Sequence, residues 1–335
     1  MCITNVEAQM ALGVDGMRVG IWEHASVPTG CTVVLAPAGT LGAVAIRGQA
    51  PGTREAAALG PHGKLNVIHG VLLAGGSGYG LAAADGVMRW LEEQGIGYPV
   101  GDAIVPIVGG AIVLDLSVGV RDARPDAAGG WAACEAASEA DPPDGAVGAG
   151  AGCTVAKVAG FEHAWRGGQA IATERHGDLV VTALIVNNAV GEIIGEDGQL
   201  LVASSAPAEM PRWPRDLDRP GQTPSDPDAE GPSGNTVIGV IATNAKLDKS
   251  QAYRVADLAH DGVARAVEPA HTSVDGDALF CLATGVVDTT VDRVAQLAVA
   301  AVARATRNGP MAAVSLTVSG GPFGDQIRGR ADTAP

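Results

Sequence analysis

The sequence predicts a layered α/β fold, and three observations carry that expectation. Short β-rich runs alternate with four segments of helical spacing. Hydrophobic residues fill 47% of the 335 positions and charged residues 18%, which leaves ample apolar material for a sizeable core. Aromatic residues are only 3%, so the core must be built from Ala, Val, Leu and Ile, side chains that suit close-packed sheets and helices.

Residues 18–22, 32–35 and 42–46 are β-rich runs separated by Gly, Pro and Thr. Residues 66–73 form a further apolar run. The segment 81–94 is an amphipathic helix: Leu81, Ala84, Met88 and Leu91 share a face, with Arg89, Glu92 and Glu93 off it. Residues 103–116 predict two buried strands broken at Gly109-Gly110, and 127–140 an Ala-rich helix. Strands at 179–186 and 191–194 flank a predicted turn at Asn187-Asn188. From about 203 to 235 seven prolines interrupt any periodic face, which predicts an exposed, partly disordered linker. Order resumes at Thr236 with a strand, then a helix at 248–267, a strand at 277–284 and a helix at 288–306. The tail after Gly320 reads as loose. The 100 residues after Asn235 are thin for an independent core, so both sides of the linker are expected to share one.

Twenty-two basic against 37 acidic residues leave a net charge of −15. With 4 lysines and no basic stripe, the chain is not expected to bind nucleic acid or an anionic membrane surface. The five cysteines are odd in number, lack a C-x-x-C pair and mostly lie among small or apolar residues, which predicts buried thiols in a reducing compartment. No signal-peptide pattern is visible and no apolar run reaches a membrane span, so a soluble, cytoplasmic protein is expected.

The glycine-rich Gly75-Gly76-Ser77-Gly78-Tyr79-Gly80 fits neither a dinucleotide fingerprint nor a P-loop, and Ser77 does not sit in G-x-S-x-G. A tight strand-to-helix turn able to line a substrate cleft is the reading left, with Gly76, Ser77 and Tyr79 as candidate substrate contacts. The seven histidines show no metal-ligand spacing, and no metal site is expected. The sharper feature is Gly234-Asn235-Thr236, where the linker meets a hydroxyl residue opening a buried strand. Were the Asn235–Thr236 bond cut, Thr236 would gain an α-amine, with a pKa of about 7.7–8.0, beside its own hydroxyl. Such an amine can act as general base for that hydroxyl. The competing reading is a β-branched residue that merely starts a strand.

Six segments, in order, resemble one family. They are Gly48-Gln49-Ala50-Pro51-Gly52-Thr53-Arg54-Glu55, Leu73 to Leu81 through the glycine run, Gly145-Ala146-Val147-Gly148-Ala149-Gly150, Asn187-Asn188-Ala189-Val190-Gly191, Gly234-Asn235-Thr236 and His271-Thr272-Ser273-Val274-Asp275-Gly276-Asp277-Ala278-Leu279-Phe280. The family is that of the self-processing N-terminal-nucleophile amidohydrolases: L-aminopeptidase/D-esterase, β-peptidyl aminopeptidases and nylon-oligomer hydrolase. The resemblance implies a four-layer α/β/β/α sandwich, one domain cut into an α fragment (1–235) and a β fragment (236–335) that stay associated and assemble as a homo-oligomer. It implies Thr236 as nucleophile, Asn235 as the residue before the cut, Asn188 as an oxyanion donor, Lys157 near the nucleophile, and Asp275 and Asp277 orienting the new α-amine. Threonine and Asp-Gly-Asp resemble the nylon-hydrolase branch. Leu114 stands where many members carry a tyrosine near the oxyanion.

The expected activity is therefore hydrolysis of amide bonds in short peptides, β- or ω-amino acid amides or nylon-type oligomers, with no metal or organic cofactor. Two alternatives stay open: an acyl transferase resembling ornithine acetyltransferase, and an unprocessed, non-catalytic scaffold of the same fold. Read without the family, Lys157 is equally a solvated edge-strand lysine, Asn188 a turn residue and Asp275-Gly276-Asp277 an ordinary turn.

Overall fold

Alternating side chains in ten strands generate the layers. The protein is described here by a computed structural model covering residues 11–119, 122–207, 234–318 and 322–333. In chain order the strands are β1 (Arg18–Glu23), β2 (Gly30–Leu35), β3 (Leu41–Ile46), β4 (Thr53–Arg54), β5 (Gly70–Ala74), β6 (Val108–Ile112), β7 (Gly168–His176), β8 (Leu179–Asn188), β9 (Thr236–Ala245) and β10 (Ala278–Val287). They form two five-stranded sheets, ordered β1-β2-β5-β6-β4 and β7-β8-β9-β10-β3. Each sheet has one parallel pair, β5 with β6 and β9 with β10, among antiparallel neighbours.

In β9, Ile238, Val240 and Ala242 enter the core between the sheets, with Val34, Val71, Leu73, Leu184 and Phe280. Val237 and Ile241 face the other way, onto α3 (Lys249–Ala264) and α4 (Val291–Ala312), where they join Val255, Ala259, Ala298 and Val302. On the far side Cys31, Val33, Leu72 and Ala74 pack on α1 (Ala83–Glu93) and α2 (Ala127–Glu135) through Val87, Leu91 and Ala133. The result is the α/β/β/α sandwich. Each fully buried Val, Leu, Ile or Phe contributes about 1.5–3 kcal/mol against the ordering entropy of the chain.

The helices begin where their caps dictate. Asp248 closes a capping box with Gln251 at the start of α3, and Asp126 accepts the Gly129 N–H at 2.9 Å ahead of α2. α4 runs six residues beyond the predicted end, to Ala312, despite Pro310 in its last turn. Pro310 has no N–H for the carbonyl of Thr306. The side-chain amide of Asn187 donates to that carbonyl instead, at 2.9 Å. Asn187 and Asn188 are therefore strand residues at the end of β8, not the predicted turn.

Other expectations need correction. Residues 103–105 are not a buried strand: Ala103–Val105 pairs with Tyr98–Val100 in an exposed hairpin, and Gly109 and Gly110 lie inside β6. The edge strand β7 was not anticipated, because its outer end, Thr-Glu-Arg-His, is polar. The tail is anchored: Phe323 and Ile327 are buried, and Gln326–Ile327 pairs with Leu316–Thr317. Of the proline-rich linker, residues 208–233 lie outside the described part; Ser204, Ala206 and Asn235 at its margins are buried rather than exposed. Cys31, Cys134, Cys153 and Cys281 are free, buried thiols, as expected.

Strands from both sides of Thr236 share the second sheet, since β9 pairs with β8 from Val181↔Thr243 to Asn188↔Thr236. No helix among the described residues is long and apolar enough to cross a membrane.

Candidate active site

Topology gathers the candidate residues at one end of the second sheet. Antiparallel β8 ends at Asn188 opposite Thr236, the first residue of β9. Parallel β10 starts beside it, with Ala278 opposite Ile238, so the preceding Asp275-Gly276-Asp277 turn lies against Asn235 and Thr236. Five sequence-predicted residues, Thr236, Asn188, Lys157, Asp275 and Asp277, are thereby brought together, all buried.

The Thr236 hydroxyl donates to the Asn235 carbonyl oxygen at 2.5 Å. The same oxygen accepts the backbone N–H of Gly276 at 3.0 Å. Asp277 accepts the Val237 N–H on Oδ1 at 2.6 Å and meets His271 Nδ1 with Oδ2 at 2.6 Å. Asp275 accepts the Thr272 N–H on Oδ2 at 2.6 Å, while its Oδ1 has no hydrogen-bond partner among the described residues.

Asn188 is held on every side. Its Oδ1 accepts the Thr154 N–H at 2.9 Å and Lys157 Nζ at 3.2 Å. Its Nδ2 donates to the carbonyls of Leu114 at 3.2 Å and Gly234 at 3.1 Å, not to that of Asn235. Lys157 Nζ also donates to the Asn188 carbonyl at 2.9 Å and is 1% exposed, which rules out the solvated edge-strand reading. The Leu114 side chain lies against Gly234, which adopts φ +90°.

Burial sets the electrostatics. It pulls Lys157 down to about 7, so the ammonium is held near its neutral form despite the opposing influence of Cys153 and Asp275. It pushes Asp275 up to about 6, and the neighbouring Asp277 charge adds to that rise. Below about pH 6 Asp275 is therefore a neutral acid.

Gly76, Ser77 and Tyr79 make none of these contacts. Gly76 donates its N–H to Asp115 at 2.6 Å and Ser77 to the Val113 carbonyl at 3.0 Å, so they connect to the site through the segment that carries Leu114. Tyr79 is 62% exposed, under the Arg124 guanidinium. Burial also pushes Asp115 up to about 6.

The sequence did not single out Gly276, His271 or the role of the Gly48 loop. A Cβ on Gly276 would lie 2.7 Å from the Ala50 carbonyl oxygen and 3.2 Å from the Thr236 hydroxyl. Arg47 and Ala50 donate their N–H groups to the carbonyls of Asp277 and Asp275. Between them, a Cβ on Gly48 would come within 2.3 Å of the Asp275 carbonyl oxygen and the Asp277 nitrogen. Gly48→Ala is expected to lower stability by about 1–3 kcal/mol through that backbone clash, read from a denaturant midpoint. An unchanged midpoint would show that the turn is not gripped this tightly.

A hydroxyl, an amide carbonyl, a backbone donor on that carbonyl, a buried lysine and two buried carboxylates meet at one end of the α/β/β/α frame, an arrangement that fits an amide-bond hydrolase. The chain belongs to peptidase family S58, whose model matches residues 12–322. It is 42% identical over 302 residues to an uncharacterized aminopeptidase of Mycobacterium leprae, covering 83% of this chain and 79% of the relative. A 6-aminohexanoate-oligomer endohydrolase of Paenarthrobacter ureafaciens is 33% identical over 275 residues, covering 82% and 74%. In fold this chain matches a Burkholderia sp. β-aminopeptidase at TM-score 0.69 and 21% identity, covering 96% of this chain and 90% of that one. The L-aminopeptidase D-Ala-esterase/amidase of Ochrobactrum anthropi, a variant of the Ntn hydrolase fold, matches at TM-score 0.69, 18% identity and the same coverage.

Proposed function

We propose that the chain cuts itself between Asn235 and Thr236 and then hydrolyses amides with the threonine so exposed. The observation that carries this reading is the Thr236 hydroxyl set 2.5 Å from the Asn235 carbonyl oxygen, which Gly276 also holds. In self-cleavage Oγ1 bonds to the Asn235 carbonyl carbon and the C–N bond to Thr236 breaks. The hydroxyl proton ends on the departing nitrogen, and water hydrolyses the ester to an Asn235 carboxylate and a free Thr236. The Gly276 N–H stabilises the oxyanion that forms on the way.

The mature enzyme repeats the step on substrate. The Thr236 α-amine takes the hydroxyl proton as Oγ1 attacks the substrate carbonyl and gives it to the leaving amine; water then hydrolyses the acyl ester, releasing the acid and restoring the Thr236 hydroxyl. Asp275 Oδ1 and Asp277 are the acceptors that orient this amine. Departure of the Gly234 carbonyl would free Asn188 Nδ2 to bind the substrate oxyanion, with Lys157 fixing the amide. With Leu114 in place of a tyrosine, Asn188 and Gly276 carry that task alone.

The substrates proposed are short peptides, β- or ω-amino acid amides and nylon-type oligomers, the range suggested by the aminopeptidase and 6-aminohexanoate-oligomer endohydrolase relatives. A panel of these amides, assayed by amine release with and without added glutamate or hydroxylamine, tests it. Hydrolysis without an acceptor supports the reading. Turnover only with an acceptor would favour the acyl transferase, and no turnover at all the scaffold.

A further inference from the structure

The charge cluster behind Asp277 contains a histidine that the proposed steps do not use. His271 is 15% exposed at its side chain, holds a left-handed φ of +57°, and presents both ring nitrogens to acceptors. Nδ1 lies 2.6 Å from Asp277 Oδ2 and Nε2 lies 3.2 Å from the His260 carbonyl oxygen. A carbonyl oxygen only accepts, so Nε2 must carry a proton. An ionised Asp277 only accepts, so Nδ1 must carry one as well.

We propose that His271 is a positioning residue, a buried imidazolium that clamps Asp277 as a carboxylate so that its other oxygen stays aimed at the start of β9, where Thr236 and its amine lie. The proposal rests on the reading of Thr236 given above. The clamp is built from three elements. Asp277 stands at the head of β10. The His260 carbonyl and ring come from α3, the two imidazoles meeting edge to face at 5.0 Å. Arg47, just past β3, adds a positive charge, held by Asp257 and Asp261 of α3 at 3.0 and 3.2 Å. Burial and Arg47 work against the imidazolium, but the Asp277 hydrogen bond and charge, with the His260 carbonyl, outweigh them and raise the His271 pKa. His260 is the internal contrast. Its Nε2 bonds the Ala45 carbonyl at 3.1 Å, its Nδ1 has no partner among the described residues, and burial pulls it down to about 4.

Two measurements on the full chain test this. Nitrogen-15 NMR of the histidine rings at pH 7 should find both His271 nitrogens protonated and His260 a neutral ring with the proton on Nε2. A neutral His271 at pH 7 would overturn the proposal, whatever the variants do. The second is the pH profile of amide hydrolysis by the cleaved chain, in which Asp277 faces the new α-amine. In His271→Ala the Asp277 Oδ2 loses the ring that meets it at 2.6 Å, so the acid limb should move up by about one pH unit or more. His271→Asn, whose amide offers a donor near the Nδ1 position, should bring the limb most of the way back. A loss equal at every pH, with the limb unmoved, would mark His271 as merely structural and overturn the clamp. A parent chain that never cuts would sink the self-cleavage reading instead, and the ring measurement would still decide the protonation of His271.

Discussion

Replacing Thr236 with alanine leaves one uncut 335-residue chain and lowers amide hydrolysis by on the order of 10³-fold or more. The substitution removes the hydroxyl that donates to the Asn235 carbonyl oxygen, the nucleophile of the proposed cut. Fold loss is not the cause. The residue opens a strand whose packing is carried by Val237, Ile238, Val240 and Ile241, all of which remain. Electrophoresis under denaturing conditions and amine release read the two effects together. Cleavage at an unchanged rate in Thr236→Ala would move the nucleophile elsewhere.

Lys157→Met is expected to slow amide hydrolysis by on the order of 10²–10³-fold, because the Asn188 carbonyl loses its lysine donor, Oδ1 keeps only the Thr154 N–H of its two donors, and the amide is no longer fixed. The same variant has a stability signature with a definite sign. Lys157 sits at about 7 in the fold, against 10.5 for an ordinary lysine. Between those values the unfolded chain binds the extra proton, so stability rises with pH across the window and is lost as pH falls through about 7. Asp275, raised to about 6 from 3.8, acts in a separate window and in the opposite sense. Its contribution is full below about pH 4 and is lost as pH rises through 6. Thermal melts between pH 7 and 8, below the range where the four buried thiols would ionise in the unfolded chain, should show Tm climbing in a Thr236→Ala background, where no new α-amine titrates. The climb should flatten when Lys157→Met is added. A climb that survives would place the shifted group elsewhere.

Much of this was legible because strand and helix periods report directly on burial. The helix through Leu81 and Leu91 and the strand opening at Thr236 follow from apolar spacing alone. The candidate site residues were proposed through the family resemblance, since Lys157 and Asp-Gly-Asp carry no local pattern that separates them from surface or turn residues. Asn187 and Asn188 misled because asparagine favours turns. Here one asparagine satisfies the carbonyl that Pro310 leaves bare and the other meets Lys157, Leu114 and Gly234, partners distant in sequence. The Gly276 N–H is a backbone group, and no side-chain motif announces it. His271 was hidden by its spacing, since its partners are a carboxylate and a carbonyl rather than a second metal ligand.

The central claim is that Thr236 becomes an N-terminus by the chain's own action. Intact mass and N-terminal sequencing of freshly purified protein, incubated without protease, test it most directly. The account predicts two fragments, of 235 and 100 residues, the smaller beginning Thr-Val-Ile-Gly. A single mass for the whole chain after long incubation, or a cut at any other bond, would contradict it.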